Sequence, residues 1–245
     1  MTRTARRFSN SGYLHLIERG IGKQTIFESE DDYQHYLCKL EKYSRELDVM
    51  ICAFCLMNNH VHILVRDQNH RSSVMMKKLG ISYSLFFNKK YERCGHLFQD
   101  RFLSECIDSE RYLLAVFRYI LNNPVRAGIC PARSYRWSSY NLYDCNDTFV
   151  NAAVFHNLIG NRGQLDAFLV ETDTDDFLEY NNVKKGDAWA QSVIQECIGV
   201  QNGIAIQSFE RSNRDQALYQ LKLCGLSVRQ IARLTGIGRN IVQRA

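Results

Sequence analysis

The chain has 245 residues, 45% of them hydrophobic, with a formal net charge of +5. This is enough apolar content for a full core and speaks against disorder over most of the length, while no run of about 18 apolar residues is available to span a bilayer. No apolar segment follows the basic N-terminus, so a soluble cytoplasmic protein is expected.

Nine cysteines, an odd and scattered set, read as reduced thiols packed as small hydrophobes rather than as a disulfide framework. Cys52 and Cys55 form a CxxC, but the second pair that a zinc site needs is missing. The charge is segregated: residues 1–145 carry 21 Lys and Arg against 15 Asp and Glu, residues 146–210 carry 3 against 10, and residues 211–245 carry 7 against 1. Two basic blocks flanking an acidic one fit a chain whose ends touch a polyanion.

In chain order, residues 12–18 read as a strand and residues 29–47 as a helix opened by Ser29, with acidic residues in its first turn. Residues 49–57 and 60–66 are strands joined by the turn signal Asn58-Asn59, hence a hairpin. Residues 72–90 are helical, 97–107 largely extended, and 109–122 a helix with Ser109 as cap. This interleaving predicts an α+β domain over 1–145 with an antiparallel sheet and helices. Residues 146–210, including Thr172-Asp173-Thr174-Asp175-Asp176, read as an acidic linker or helical spacer. Residues 211–245 read as a helix-turn-helix, with helices over 214–223 and 227–234, turns at Gly225 and Gly236, and Ser227 as cap. The presumed recognition helix is short, because the sequence stops seven residues after Gly238.

His60 and His62 stand two apart in a strand, so their imidazoles share one face while Val61 enters the other. Two neutral imidazoles on one face make a pincer for a divalent ion, although a bare HxH also fits a solvated strand face. Tyr119 and Asn123 lie four apart at the end of a helix and project from one side. Asn123 can give a carbonyl oxygen as a further ligand, and Pro124 is expected to bias it away from helical geometry, ending the helix there. Tyr119 alone reads rather as a core aromatic. Together with an ion the phenol gains a role: a hard cation on a phosphate oxygen stabilises the negative charge that develops as tyrosine attacks. Attack gives a phosphotyrosine, which conserves the phosphodiester energy for rejoining. His15, His35, His70, His96 and His156 have no partner at ligand spacing and read as structural or surface residues.

The stretches Leu56-Met57-Asn58-Asn59-His60-Val61-His62-Ile63-Leu64-Val65, Gly95-His96-Leu97-Phe98-Gln99-Asp100-Arg101-Phe102 and Arg118-Tyr119-Ile120-Leu121-Asn122-Asn123-Pro124-Val125-Arg126-Ala127-Gly128 resemble the IS200-like single-tyrosine transposases of the HUH type, specifically the REP-associated tyrosine transposase branch. The resemblance covers about residues 8–142. It implies a ferredoxin-like core, Tyr119 as nucleophile, and Mg²⁺ or Mn²⁺ held by His60, His62 and Asn123. It further implies cleavage of single-stranded DNA beside an imperfect hairpin, leaving a 5′-phosphotyrosine and a free 3′-hydroxyl.

Such a substrate calls for phosphate contacts and stacking. The cationic candidates are Arg3, Arg6, Arg7, Lys77, Lys78, Lys89, Lys90, Arg101, Arg118 and, preferred because it follows the active turn, Arg126. Arg118 should point about 100° from its neighbour Tyr119. In the tail, Arg229 and Arg239 are candidates for duplex DNA. The insertion-sequence relatives suggest a homodimer; the REP-associated branch suggests a monomer, which is the expectation here, in a bacterial, nucleoid-associated protein. Two other readings compete: a non-catalytic hairpin-binding protein or regulator, and a nuclease using water, for which only Asp67 and Asp100 lie near the motif.

Overall fold

The computed structural model describes residues 9–145, 147–171, 187–200, 202–224, 226 and 228–244. Arg3, Arg6 and Arg7, the Thr172–Asp176 stretch, Gly225 and Ser227 lie outside them. The chain divides into two compact units, residues 1–180 and 181–245.

The first unit runs β1 (Tyr13–Arg19), α1 (Glu30–Glu46), β2 (Met50–Met57), β3 (His60–Arg66), α2 (Ser72–Lys90), β4 (Leu103–Ile107), α3 (Glu110–Leu121), α4 (Asn123–Arg126), α5 (Ala153–Leu158) and α6 (Arg162–Val170). The strands form one antiparallel sheet in the order β2-β3-β1-β4, the ferredoxin-like split arrangement. Residues 97–102, expected to be extended, make only an isolated bridge between Phe98 and Gly20 before β4 begins.

Strand alternation sorts the side chains into two cores. Val61, Ile63 and Val65 of β3 face α1 and α2, joined by Leu14, Leu16, Phe54, Tyr83 and Phe87. Leu64 faces the other way, toward Phe117, Ile120 and Leu121 of α3. The helices start where their caps dictate. Ser29 and Asp32 form a reciprocal capping box on α1, and Ser109 Oγ accepts from Tyr112 N at 3.2 Å on α3. Asp67, fully buried, accepts from Arg71 N at 2.9 Å and Ser72 N at 2.7 Å, and so caps α2.

The acidic stretch departs from its expected role as a spacer. The Phe155 ring of α5 stacks on Phe117 at 3.7 Å, and Leu165 and Leu169 of α6 join the same core. Residues 147–171 therefore complete the first unit, because α3 leaves an apolar flank that the sheet alone does not cover.

The second unit begins before the expected residue 211. Helices α7 (Asp187–Ile198), α8 (Arg211–Leu223), α9 (Val228–Thr235) and α10 (Arg239–Arg244), with a 3-10 helix at Gly203–Ser208, surround Ile194, Ile206, Leu218, Leu221, Ile231 and Val242. Gly203 lies so close to α9 that a Cβ would meet the Leu234 carbonyl oxygen at 2.8 Å. Gly236 turns the chain after α9 with a φ of +70°.

Candidate active site

The site lies on the α3 side of the sheet. His60 and His62 on β3 stand on one face, with ring centroids 5.0 Å apart. The Tyr119 ring meets His62 edge-on at 5.4 Å and is itself only 4% exposed. Arg126, on α4, brings its guanidinium to 4.9 Å from the Tyr119 ring centroid. Four residues chosen from the sequence thus converge.

Asn123 reaches the backbone of Tyr119, by a different route from the one expected. The helix restarts as α4 instead of ending in an extended residue, and Pro124 is accommodated in the first turn, where its missing N–H is not needed. The buried Asn123 donates from Nδ2 to the Tyr119 carbonyl at 3.1 Å. A carbonyl only accepts, so this contact fixes the amide orientation and leaves Oδ1 as the oxygen that can ligate.

The histidines are fixed in the same manner. Asn59 Nδ2 donates to Lys23 O at 3.2 Å, so its Oδ1, 2.6 Å from His60 Nδ1, is the acceptor and the His60 proton sits on Nδ1. This tautomer puts the lone pair on Nε2. Burial, reinforced by His15, His60 and Arg126, drives the His62 pKa well below the ordinary value, so the ring is neutral.

Sequence reasoning missed His15, Glu105 and Asn59. His15, fully buried, lies 3.0 Å by Nε2 from His62 Nδ1, with the two rings stacked at 5.2 Å; its Nδ1 is 3.6 Å from Glu105 Oε2. The signal was the sheet register. Ile17 pairs with His62, which makes His15 a diagonal neighbour on the same face, and His15 pairs directly with Glu105 of β4. Ligand spacing along the sequence does not reveal such neighbours.

Other expected contacts fall away from this site. Arg118 is buried, stacks its guanidinium over Phe168 at 3.9 Å and pairs with Glu171 at 2.6 Å, so it fastens α6 rather than facing DNA. Lys77 and Lys78 belong to α2, across the sheet from the histidines, and Lys78 pairs with Glu46. Lys90 is held by Asp31 at 2.7 Å and Asp32 at 2.8 Å. Arg101 is exposed on the loop that meets β1 at its His60 end, where Gln99 N donates to Arg19 O and Arg19 pairs with His60. Cys52 and Cys55 are buried in the α3-side core, and burial pushes the Cys52 thiol up to about 12 and Cys55 still higher, which leaves them as protonated apolar residues.

Among the described residues no three His, Cys, Asp or Glu side chains gather as an ion site. An ion here must rest on two imidazoles plus oxygen donors. The fixed lone pair of His60 and the oriented Asn123 oxygen supply part of such a mixed set, which is compatible with Mn²⁺ or Mg²⁺ completed by water or phosphate.

Residues 8–123 match the family model described as Transposase IS200 like. This stretch is similar to IS200-like transposases. Among solved structures, a REP-associated tyrosine transposase bound to a REP hairpin aligns with a TM-score of 0.52 at 15% identity, over 72% of this chain and 95% of its own. A second, assigned as a transposase from Deinococcus radiodurans R1, gives a TM-score of 0.35 at 16% identity, over 49% of this chain and 97% of its own. No curated protein matches. The family match ends at Asn123, so it contains His60, His62, Tyr119 and Asn123. No described helix is long and apolar enough to cross a membrane.

Proposed function

We propose that this chain cleaves and rejoins single-stranded DNA beside a hairpin, with Tyr119 as nucleophile and a divalent ion held by His60, His62 and Asn123. The reading rests on one observation above the others: Tyr119 packs against the neutral His62 imidazole, while Asn123, one turn on, is tied by its Nδ2 to the Tyr119 carbonyl. Tyr119 gives up its phenol proton as Oη attacks the phosphorus, the Oη–P bond forms as the P–O3′ bond breaks, and the 3′-oxygen takes up a proton and leaves as a hydroxyl. A 5′-phosphotyrosine remains, and the reverse attack by a 3′-hydroxyl rejoins the strand. Bound Mn²⁺ or Mg²⁺ supplies Lewis-acid stabilisation of the charge on the phosphate oxygens. Arg126, whose guanidinium lies 4.9 Å from the Tyr119 ring centroid, steadies the same phosphate in this reading.

The water-nuclease reading loses support because Asp67 is spent on capping α2. The solved relative bound to a REP hairpin makes a palindromic hairpin the substrate to try first. We assign duplex contacts to the second unit, where Arg229 on α9 and Arg239 on α10 are exposed.

The test is incubation with end-labelled hairpin oligonucleotides and Mn²⁺, resolved on denaturing gels. A covalent protein–DNA adduct that disappears in Tyr119→Phe and in EDTA is the expected result. Hairpin binding without adduct would mean a non-catalytic binder, and cutting that survives Tyr119→Phe would mean water is the nucleophile.

A further inference from the structure

We infer that His15, backed by Glu105, is a positioning residue that fixes the tautomer and ring orientation of His62 so that its Nε2 lone pair faces the ion. This rests on the proposed ion site and goes beyond it, to residues on two other strands.

The argument is one of proton counting. His15 Nε2 and His62 Nδ1 are 3.0 Å apart, so one of them carries the shared proton. On its far side His15 presents Nδ1 to Glu105 Oε2 at 3.6 Å. Both of these atoms are buried, and neither has a hydrogen-bond partner. With the carboxylate ionised and both rings neutral, only one arrangement is free of a lone pair facing a lone pair. His15 carries its proton on Nδ1, toward Glu105, and accepts at Nε2 from His62 Nδ1–H. His62 is thereby left with its lone pair on Nε2, the atom remote from His15. The 3.6 Å separation is too long for a full hydrogen bond, so Glu105 acts here by charge, and a closure of about 0.7 Å would convert the contact to a bond.

The register explains why these residues can do this. His15 and Glu105 are directly opposed on β1 and β4, and the sheet carries His15 diagonally onto His62 of β3. Backbone pairing therefore sets the line Glu105–His15–His62. The two ring stacks, His15 on His62 at 5.2 Å and Tyr119 edge-on to both, prevent rotation of the imidazoles. Asn59 performs the equivalent service for His60. Outer partners of this kind hold a ligating imidazole in its productive tautomer, and their loss typically weakens metal binding about 10–100-fold.

Two readouts on the full chain test the inference without activity. Long-range ¹H–¹⁵N spectra of the metal-free wild type at neutral pH should show His62 protonated at Nδ1; protonation at Nε2 overturns the proposal. Mn²⁺ affinity from the electron paramagnetic resonance of the free ion should fall by about tenfold or more in His15→Leu, which keeps the volume and removes the acceptor. It should recover largely in His15→Gln, whose carbonyl can accept from His62 Nδ1–H. Wild-type affinity in His15→Leu overturns the proposal, while equal affinity in wild type, His60→Ala and His62→Ala overturns the ion site itself. If His15→Leu fails to fold, the wild-type tautomer still decides.

Discussion

Buried polar residues in this protein do one of two things, and the contrast between His15 and Glu18 shows which. Both lie on β1, three residues apart, and so on opposite faces. His15 meets histidine and carboxylate; Glu18 meets the apolar core beneath α1 and α2, with one long contact from Tyr36 Oη at 3.4 Å and Gly80 packed over it. Burial raises the Glu18 carboxyl from an ordinary 4.5 to about 8. In the unfolded chain it ionises near 4.5, whereas the folded chain keeps its proton to about 8. Its contribution to stability is therefore complete below about pH 4.5 and is lost progressively as pH rises to 8. Glu18→Gln, neutral at every pH, should raise stability at pH 8 by about 2–4 kcal/mol and by little at pH 4.5. Denaturant melts at the two pH values measure this, and an equal gain at both would show that Glu18 is not protonated in the fold. Arg126, by contrast, is exposed, so Arg126→Gln should leave the melt unchanged while lowering adduct formation about 10–100-fold.

The elements were legible in proportion to how local their causes are. The hairpin of β2 and β3, α2 and the cap of α3 follow from periodicity, a turn dipeptide and a side-chain acceptor, all within a few residues. That His60 and His62 share one strand face, and that Tyr119 and Asn123 project from one side, was legible for the same reason, whereas their reading as a site came from the resemblance to the single-tyrosine transposases. His15 and Glu105 were not, because strand register brings them to His62 from far along the sequence, His15 from 47 positions away. Arg118 was misread because its partner Glu171 lies 53 positions on. Residues 147–171 read as a spacer when joined to the acid-rich run that follows, Thr172-Asp173-Thr174-Asp175-Asp176, whereas their own Phe155, Leu165 and Leu169 dock on α3. Two substitutions separate these levels. Ser109→Ala removes one cap and should cost about 1 kcal/mol. Phe155→Ala, which empties a fully buried stack on Phe117, should cost about 3–5 kcal/mol. If Phe155→Ala costs no more than Ser109→Ala in denaturant melts, the acidic stretch is a spacer after all.

At the scale of the whole molecule, the unit boundaries redraw the charge map. Residues 1–180 carry 22 Lys and Arg against 22 Asp and Glu, while residues 181–245 carry 9 against 4, so the net charge of +5 resides entirely in the second unit. Under the proposed function, a neutral unit holding Tyr119 would gain little from long-range attraction to DNA and would recognise its substrate through local groups such as Arg126 and Arg101. The basic unit would then supply the sequence-independent attraction. A chain ending at residue 180 should accordingly form the Tyr119 adduct at saturating hairpin concentration while binding more weakly at low salt. The slope of log affinity against log salt should also be shallower, by about one unit for each phosphate that the second unit would neutralise. Titration of both chains with one hairpin between about 50 and 200 mM salt separates the alternatives. Parallel slopes would place the electrostatic attraction in the first unit, and failure to form the adduct at saturation would show that the second unit takes part in chemistry rather than in attraction.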